Sequence, residues 1–411
     1  MIPNIPSRTV KGNKYKPRRR TGFALFFIGS VVVVTSWYQR QNGLPLPADE
    51  KVDPTSYLRA SIDVPNRFVY KFHSDANLEP TDCSQLLRRY RAGEISQTNQ
   101  ASSSYPIDKS YIARSNTQHA FHISVHSEKI DGVRYGIFNS GEYYENIMSN
   151  VIADIFSRAA PAKHAVMLDI GANIGWFSLL AASHGAEVYA FEPNVINMVR
   201  FCESQLLNGW SLAENLESNN RIHSYLKGVG KEHGKTLSMY TPDPANPGSF
   251  TFNQELAKDH FSKRNVAGQL QKLDGGELPI VTLDAFARDQ GWLSDEGSRT
   301  EIALMKMDVE GMEHVALDGA KELLRENIIE NILMEFNADS PRADLVSQIT
   351  TLFDCGYKLY KVGGHEGPNV DFNLTSEDPE VVIDNILSRN FGIKGGNMNA
   401  WFKVREKRPT T

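Results

Sequence analysis

The stretch Val166-Met167-Leu168-Asp169-Ile170-Gly171-Ala172-Asn173-Ile174-Gly175 constrains the fold more than any other part of the chain. A short apolar run, suited to a buried strand, ends in a turn bounded by two glycines, and an apolar segment with helical spacing follows from Trp176 to His184. Gly171 and Gly175 let the backbone turn tightly and approach a ligand closely. A strand that passes through a glycine turn into a helix is the opening unit of a nucleotide-binding α/β sheet.

Further strands are expected at Glu187 to Phe191, Arg221 to Leu226, Glu301 to Met307, Ile329 to Glu335, Tyr357 to Lys361 and Trp401 to Val404. Helices are expected at Val195 to Asn208, Val315 to Arg325 and Asp344 to Cys355, with an amphipathic helix ahead of the first strand within Gly141 to Ala159. This alternation predicts a Rossmann-like α/β fold, a mostly parallel seven-stranded sheet with helices on both faces. No convincing crossover helix joins the last two strands, so they are expected to form an antiparallel edge. Upstream, Ala120 to His126 alternates, which puts His122 and His126, but not His119, on one partly exposed face.

Two details narrow the ligand. Asn173 stands where dinucleotide-binding turns carry their second glycine, leaving less room for a pyrophosphate. Asp169, at the strand end, can face an ammonium group, which S-adenosylmethionine has and a nicotinamide dinucleotide lacks. Glu192, at the end of the next strand, can accept hydrogen bonds from both hydroxyls of a ribose.

The text DIGANIGWFSLLAASHGAEVYAFEPN, then VTLDAF, then MKMDVEGMEHVALDGAKELL, then ILMEF, resembles the FkbM-type methyltransferase family, over roughly Asn139 to Val362. The resemblance implies a class I, S-adenosylmethionine-dependent enzyme, often an O-methyltransferase for hydroxyls of sugars or natural products. Carried over by position, it implies Asp169, Gly171, Asn173, Gly175 and Glu192 as cofactor residues, and Lys306, Asp308, Glu310 and Gly311 as a second signature. The stretch Pro242 to Gly276 is long, so the acceptor pocket need not follow that of a relative.

Asp308-Val309-Glu310-Gly311 ends a central strand, where open α/β sheets bind their ligands. Alternation puts Leu304, Lys306 and Asp308 on one side, and a lysine and aspartate so deep require partners. Asp308 or Glu310 can take the proton of an acceptor hydroxyl, with His314 one turn on to assist. Glu310 can equally serve as a helix-start charge. Asp308, Glu335 and Asn337 are similar to the ligand layout of metal-dependent catechol-type O-methyltransferases, but the family resemblance requires no metal and none is assigned.

Charge and hydropathy organise the rest. The first 20 residues hold seven basic and no acidic side chains, leaving about 37 basic against 49 acidic beyond them. An acidic body argues against a nucleic-acid partner. Residues 1–21 read as a basic cytoplasmic tail and 22–38 as a transmembrane signal-anchor. As a helix, those 17 anchor residues span about 25 Å, close to the thickness of early secretory membranes. Trp37 and Tyr38 stand where an interfacial aromatic belt lies. The flanking Arg18, Arg19 and Arg20 keep that end cytoplasmic and direct the body to the lumen of the endoplasmic reticulum or Golgi; cleavage after Val34-Thr35-Ser36 would instead give a secreted chain. Residues 39–115 read as a stem with a short helix at Cys83 to Tyr90, and 116–405 as the catalytic domain. Cys202 and Cys355 read as buried thiols rather than a bridge, and the odd cysteine count excludes a fully paired framework.

The expected activity is methyl transfer from S-adenosylmethionine to a hydroxyl of a glycan or other secreted or secondary-metabolite acceptor. Two readings stand beside it: a nicotinamide-dependent oxidoreductase on a similar sheet, and a non-catalytic interaction protein that keeps the fold. Asn173 and the DVEG block speak against the first, and Asp169, Glu192 and Asp308 against the second. No DxD motif supports a glycosyltransferase.

Overall fold

The computed structural model describes residues 78–94, 110–126, 145–158, 165–211, 221–241, 250–252, 254, 271–272, 277–293, 300–336, 340–361, 378–388 and 398–404. The expected anchor and Asn337 lie outside them. No described helix is long and apolar enough to cross a membrane.

Seven strands form the central sheet: β1 (Val166–Ile170), β2 (Glu187–Phe191), β3 (Ile222–Tyr225), β4 (Ile302–Met307), β5 (Asn331–Phe336), β6 (Tyr357–Lys361) and β7 (Met398–Val404). Their order is β6-β7-β5-β4-β1-β2-β3. From β1 the chain moves outward through β2 to β3, then returns to the other side of β1 as β4 and β5. The gap between β1 and β4 is therefore the topological switch point, and ligands bind at its carboxyl end. Only β7 runs antiparallel, and it pairs with both β5 and β6. With β6 outermost and β7 one position in, the last two strands form the expected antiparallel edge.

The helices are α1 (Cys83–Arg91), α2 (Asn146–Arg158), α3 (Trp176–Ser183), α4 (Val195–Asn208), α5 (Leu283–Asp289), α6 (Glu313–Asp318), α7 (Lys321–Arg325), α8 (Arg342–Asp354) and α9 (Pro379–Ser388). Alternation along β1 divides the core. Val166, Leu168 and Ile170 face a cluster fed by α5 to α9, while Met167 faces a second cluster fed by α1 to α4.

Three local differences have physical causes. The pattern Val315 to Arg325 predicts one helix, but α6 and α7 are separate. Gly319 sits at the break, where a Cβ would lie 2.0 Å from the Gly230 carbonyl oxygen. Asp284 of α5 then caps α7, accepting from the amides of Glu322 and Leu323. A helix, α9, does stand between the last two strands. Finally, α1 and the strand Tyr111–Arg114 fall in the expected stem yet pack into the core around the sheet. Cys83, Leu86 and Leu87 are buried in the second cluster, and Thr81 bonds to Ser224 and Leu226 at the end of edge strand β3.

Cys83 and Cys202 form a disulfide that joins α1 to α4. This corrects the reading of Cys202 as a thiol; Cys355 remains free and buried.

Candidate active site

The glycine turn is built for close approach of its own neighbours. Gly171 and Gly175 have φ of 82° and 87°. A Cβ on Gly171 would stand 1.8 Å from the Asp308 carbonyl oxygen, and one on Gly175 2.1 Å from the Phe201 ring. Asn173, at φ 54°, also takes the left-handed region, which asparagine tolerates better than most residues. The amides of Gly171 and Ala172 both donate to the Phe191 carbonyl, which ties the turn to β2.

Lys306 of β4 stands directly beside Asp169 of β1 in register. Its ammonium donates to the Gly171 carbonyl oxygen at 3.0 Å and to Asp308 Oδ2 at 3.2 Å, and lies 3.8 Å from Asp169 Oδ1. Burial alone pulls the Lys306 pKa down, but Asp308 and Asp169 outweigh it, so the group stays charged. Asp169 is fully buried and accepts from Ser178 Oγ at 2.6 Å. The ammonium it faces is that of Lys306.

Glu192 follows β2 and is 5% exposed. It accepts from the amides of Asn173 and Asn194, each at 2.8 Å, and from the Asn197 side chain. Burial pushes its pKa up to about 7 against those bonds. Three of about four lone-pair sites are thus engaged, which leaves about one for a ligand.

The DVEG turn follows β4. Glu310 takes φ 52° and Gly311 φ 85°. The turn is capped by Glu313, a residue the sequence pattern did not single out. Its Oε1 accepts from the amides of Val309 and Gly311 at 3.1 and 3.2 Å. Burial pushes Glu313 up to about 7, and Asp308 adds to the rise. The helix-start role considered for Glu310 therefore belongs to Glu313.

A cleft opens over these strand ends. Gly171, Asn173, Glu192, Asp308 and Glu310 line it together; Asp169, Gly175 and His314 do not. His314 turns instead toward Asp344 of α8, at 3.8 Å. The far wall comes from Met239, Phe250 and Phe252, on the long connection between β3 and β4. Among the described residues, the cleft's ionisable side chains are Glu192, Asp308 and Glu310 against Lys227. Such a lining suits a sulfonium and an ammonium and opposes a doubly charged pyrophosphate. Among the described residues no group of three or more His, Cys, Asp or Glu is placed to hold a metal.

His126 is the other residue the pattern misjudged. The strand His122–Val125 lies against α4, leaving His122 exposed but His126 4% exposed. Its Nε2 lies 3.0 Å from Asn197 Oδ1.

Residues 169–359 match the family described as the methyltransferase FkbM domain. Among curated proteins none matches the chain. Similar solved structures include the precorrin-6y C5,15-methyltransferase of Geobacter metallireducens GS-15, at 11% identity over 63% of this chain and 89% of that one, with a TM-score of 0.29. Another is a SAM-dependent methyltransferase of Agrobacterium tumefaciens, at 11% identity over 74% of this chain and 72% of that one, with a TM-score of 0.32. At these scores neither carries an argument about substrate or mechanism.

Proposed function

We propose that the chain methylates a hydroxyl oxygen on a glycan or another secreted acceptor, with Asp308 as the group that receives the hydroxyl proton. The observation that carries this reading is the position of Asp308. Its carboxylate, 33% exposed, lines the same cleft as the glycine turn and Glu192 and is held by the buried Lys306 ammonium. S-adenosylmethionine, when bound, supplies a methyl group on a positively charged sulfur. Gly171 and Asn173 shape the floor beneath it, and Glu192 accepts from the ribose. Asp308 orients the acceptor hydroxyl and takes its proton as the oxygen gains the methyl group. Glu310, in the same lining, is the second carboxylate within reach of an acceptor.

The reading extends to location: Gly22 to Tyr38 anchors the chain, its basic flank cytoplasmic and the catalytic body luminal. The buried Cys83–Cys202 disulfide supports this placement, because such bridges form and persist in oxidising compartments.

The test uses the full-length chain in detergent. Calorimetry with S-adenosylhomocysteine should give a Kd in the micromolar range, and Glu192→Ala should weaken it by about 1–3 kcal/mol. Methyl transfer from labelled S-adenosylmethionine is then screened across glycans, lipids and phenols. Binding without transfer to any oxygen acceptor, but with transfer to nitrogen or carbon, refutes O-methylation. Protease protection in sealed microsomes tests location; digestion of the body without detergent refutes a luminal site.

A further inference from the structure

We infer that His126, which lies outside the family-matched residues, is a positioning residue of the cofactor cleft: acting through Asn197, it fixes the Glu192 carboxylate for a ribose hydroxyl. This rests on the reading of Glu192 as the ribose carboxylate.

The chain of contacts begins with docking. The strand His122–Val125 is fastened along one face of α4. The His122 amide donates to Asn208 Oδ1 at 2.9 Å, and Asn208 Nδ2 returns a bond to the His122 carbonyl at 2.7 Å. The Ser124 amide donates to Ser204 Oγ at 2.8 Å. Asn197, Ser204 and Asn208 recur at helical spacing, so one stripe of α4 takes the whole strand. That docking delivers His126 to the amino-terminal end of α4, beside Asn197 and next to the cleft.

The direction of each bond follows from chemistry. The Asn197 bond lowers the Glu192 pKa and so favours the ionised form, and Asn197 Oδ1 faces His126, so the Asn197 group bonded to Glu192 is its Nδ2 amide. The Asn197 oxygen is thereby turned toward His126, 3.0 Å from Nε2. An amide oxygen also only accepts, so His126 Nε2 carries a proton and donates. His126 thus sets the side-chain orientation of Asn197, and Asn197 adds a third donor to the two backbone amides on Glu192. All three side chains are nearly dry, 4%, 2% and 5% exposed, where a misdirected polar group is costly and orientation is firmly held.

A histidine that merely fills the core would affect every ligand alike. One that aims Glu192 affects only the ribose contact. The experiment therefore compares S-adenosylhomocysteine with its 2′-deoxyribose counterpart, by calorimetry on the full-length chain. The wild-type protein should prefer the ribose form by about tenfold, the worth of one charge-assisted hydrogen bond. His126→Phe keeps ring volume but cannot donate, and should reduce that preference to less than about threefold. His126→Gln restores a donor and should recover most of it. In parallel, the wild-type imidazole, observed by nitrogen NMR, should carry its proton on Nε2; a proton on Nδ1 alone overturns the proposal without any variant. Equal weakening of both ligands by His126→Phe also overturns it and leaves a packing role. A wild-type protein that binds both ligands equally removes the ribose role of Glu192, and one that binds neither removes the cofactor reading; each takes the proposal with it.

Discussion

The Lys306 ammonium donates to the Gly171 carbonyl oxygen across 3.0 Å, joining the end of β4 to the turn after β1. The same nitrogen holds Asp308 and faces Asp169, so one buried cation serves both the glycine turn and the DVEG turn. Lys306→Met keeps length and removes the charge, leaving Asp169 buried without its partner. Breaking a buried pair from one side typically costs about 3–5 kcal/mol. Urea unfolding should show a loss of that size. A loss below about 1 kcal/mol would mean that Ser178 and the backbone already satisfy Asp169.

Glu313 gives a pH dependence with a definite sign. Its folded pKa is about 7 against an ordinary 4.5, chiefly through burial. The folded state therefore holds more protons than the unfolded state between those values, and stability falls as pH rises through that window. Glu313→Gln keeps an acceptor oxygen for the Val309 and Gly311 amides and deletes the charge. The wild-type Tm should drop more between pH 5 and pH 8 than the variant's. Part of the slope should survive in the variant, because burial raises Glu192 to about 7 as well. Parallel slopes for the two proteins would place Glu313 in contact with water.

The Cys83–Cys202 bridge spans 119 positions of sequence. On the chain-entropy argument a closed loop of that length stabilises by roughly 4–5 kcal/mol. The double substitution Cys83→Ser with Cys202→Ser should lower stability by that order, and a reductant should then have no further effect. Thiol counting in denaturant should find one free cysteine, Cys355, in the wild-type chain. Three free thiols would exclude the bridge and remove its support for an oxidising compartment.

The parts legible in the sequence were those set by local pattern. The unit from β1 through the glycine turn to α3 is fixed by an apolar run and two glycines whose positive φ no other residue takes easily. The span of α4 was equally plain, because Asn194 caps its start and Gly209 ends it in the left-handed region. What depended on partners distant in sequence was not legible. The Cys83–Cys202 pair exists only because α1 packs on α4. Glu313 and Glu310 compete for one capping role, and the winner is decided by the backbone conformation of the turn. His126 reads as half-exposed on strand alternation alone, until α4 covers that face. Gly319 breaks a helix because Gly230 lies against it, a contact no local window contains.

Asp308 is the residue on which the reaction reading turns. It follows β4, its amide donates to the Ile170 carbonyl at 2.9 Å, and its carboxylate reaches the cleft while Lys306 holds one oxygen. Asp308→Asn preserves shape and removes the base. General-base catalysis contributes about 100- to 10,000-fold, so kcat should fall within that range. The Kd for S-adenosylhomocysteine should change by less than about tenfold, or 1.4 kcal/mol. Thermal unfolding separates a structural cause, since loss of the Lys306 partner alone would lower Tm together with kcat. Glu310→Gln is the comparison. Glu310 lines the same cleft, and the variant's Tm is read beside its kcat so that a structural cost is separated from a loss of turnover. If Asp308→Asn retains full turnover while Glu310→Gln loses it, the proton goes to Glu310, and Asp308 serves to hold Lys306 against the glycine turn.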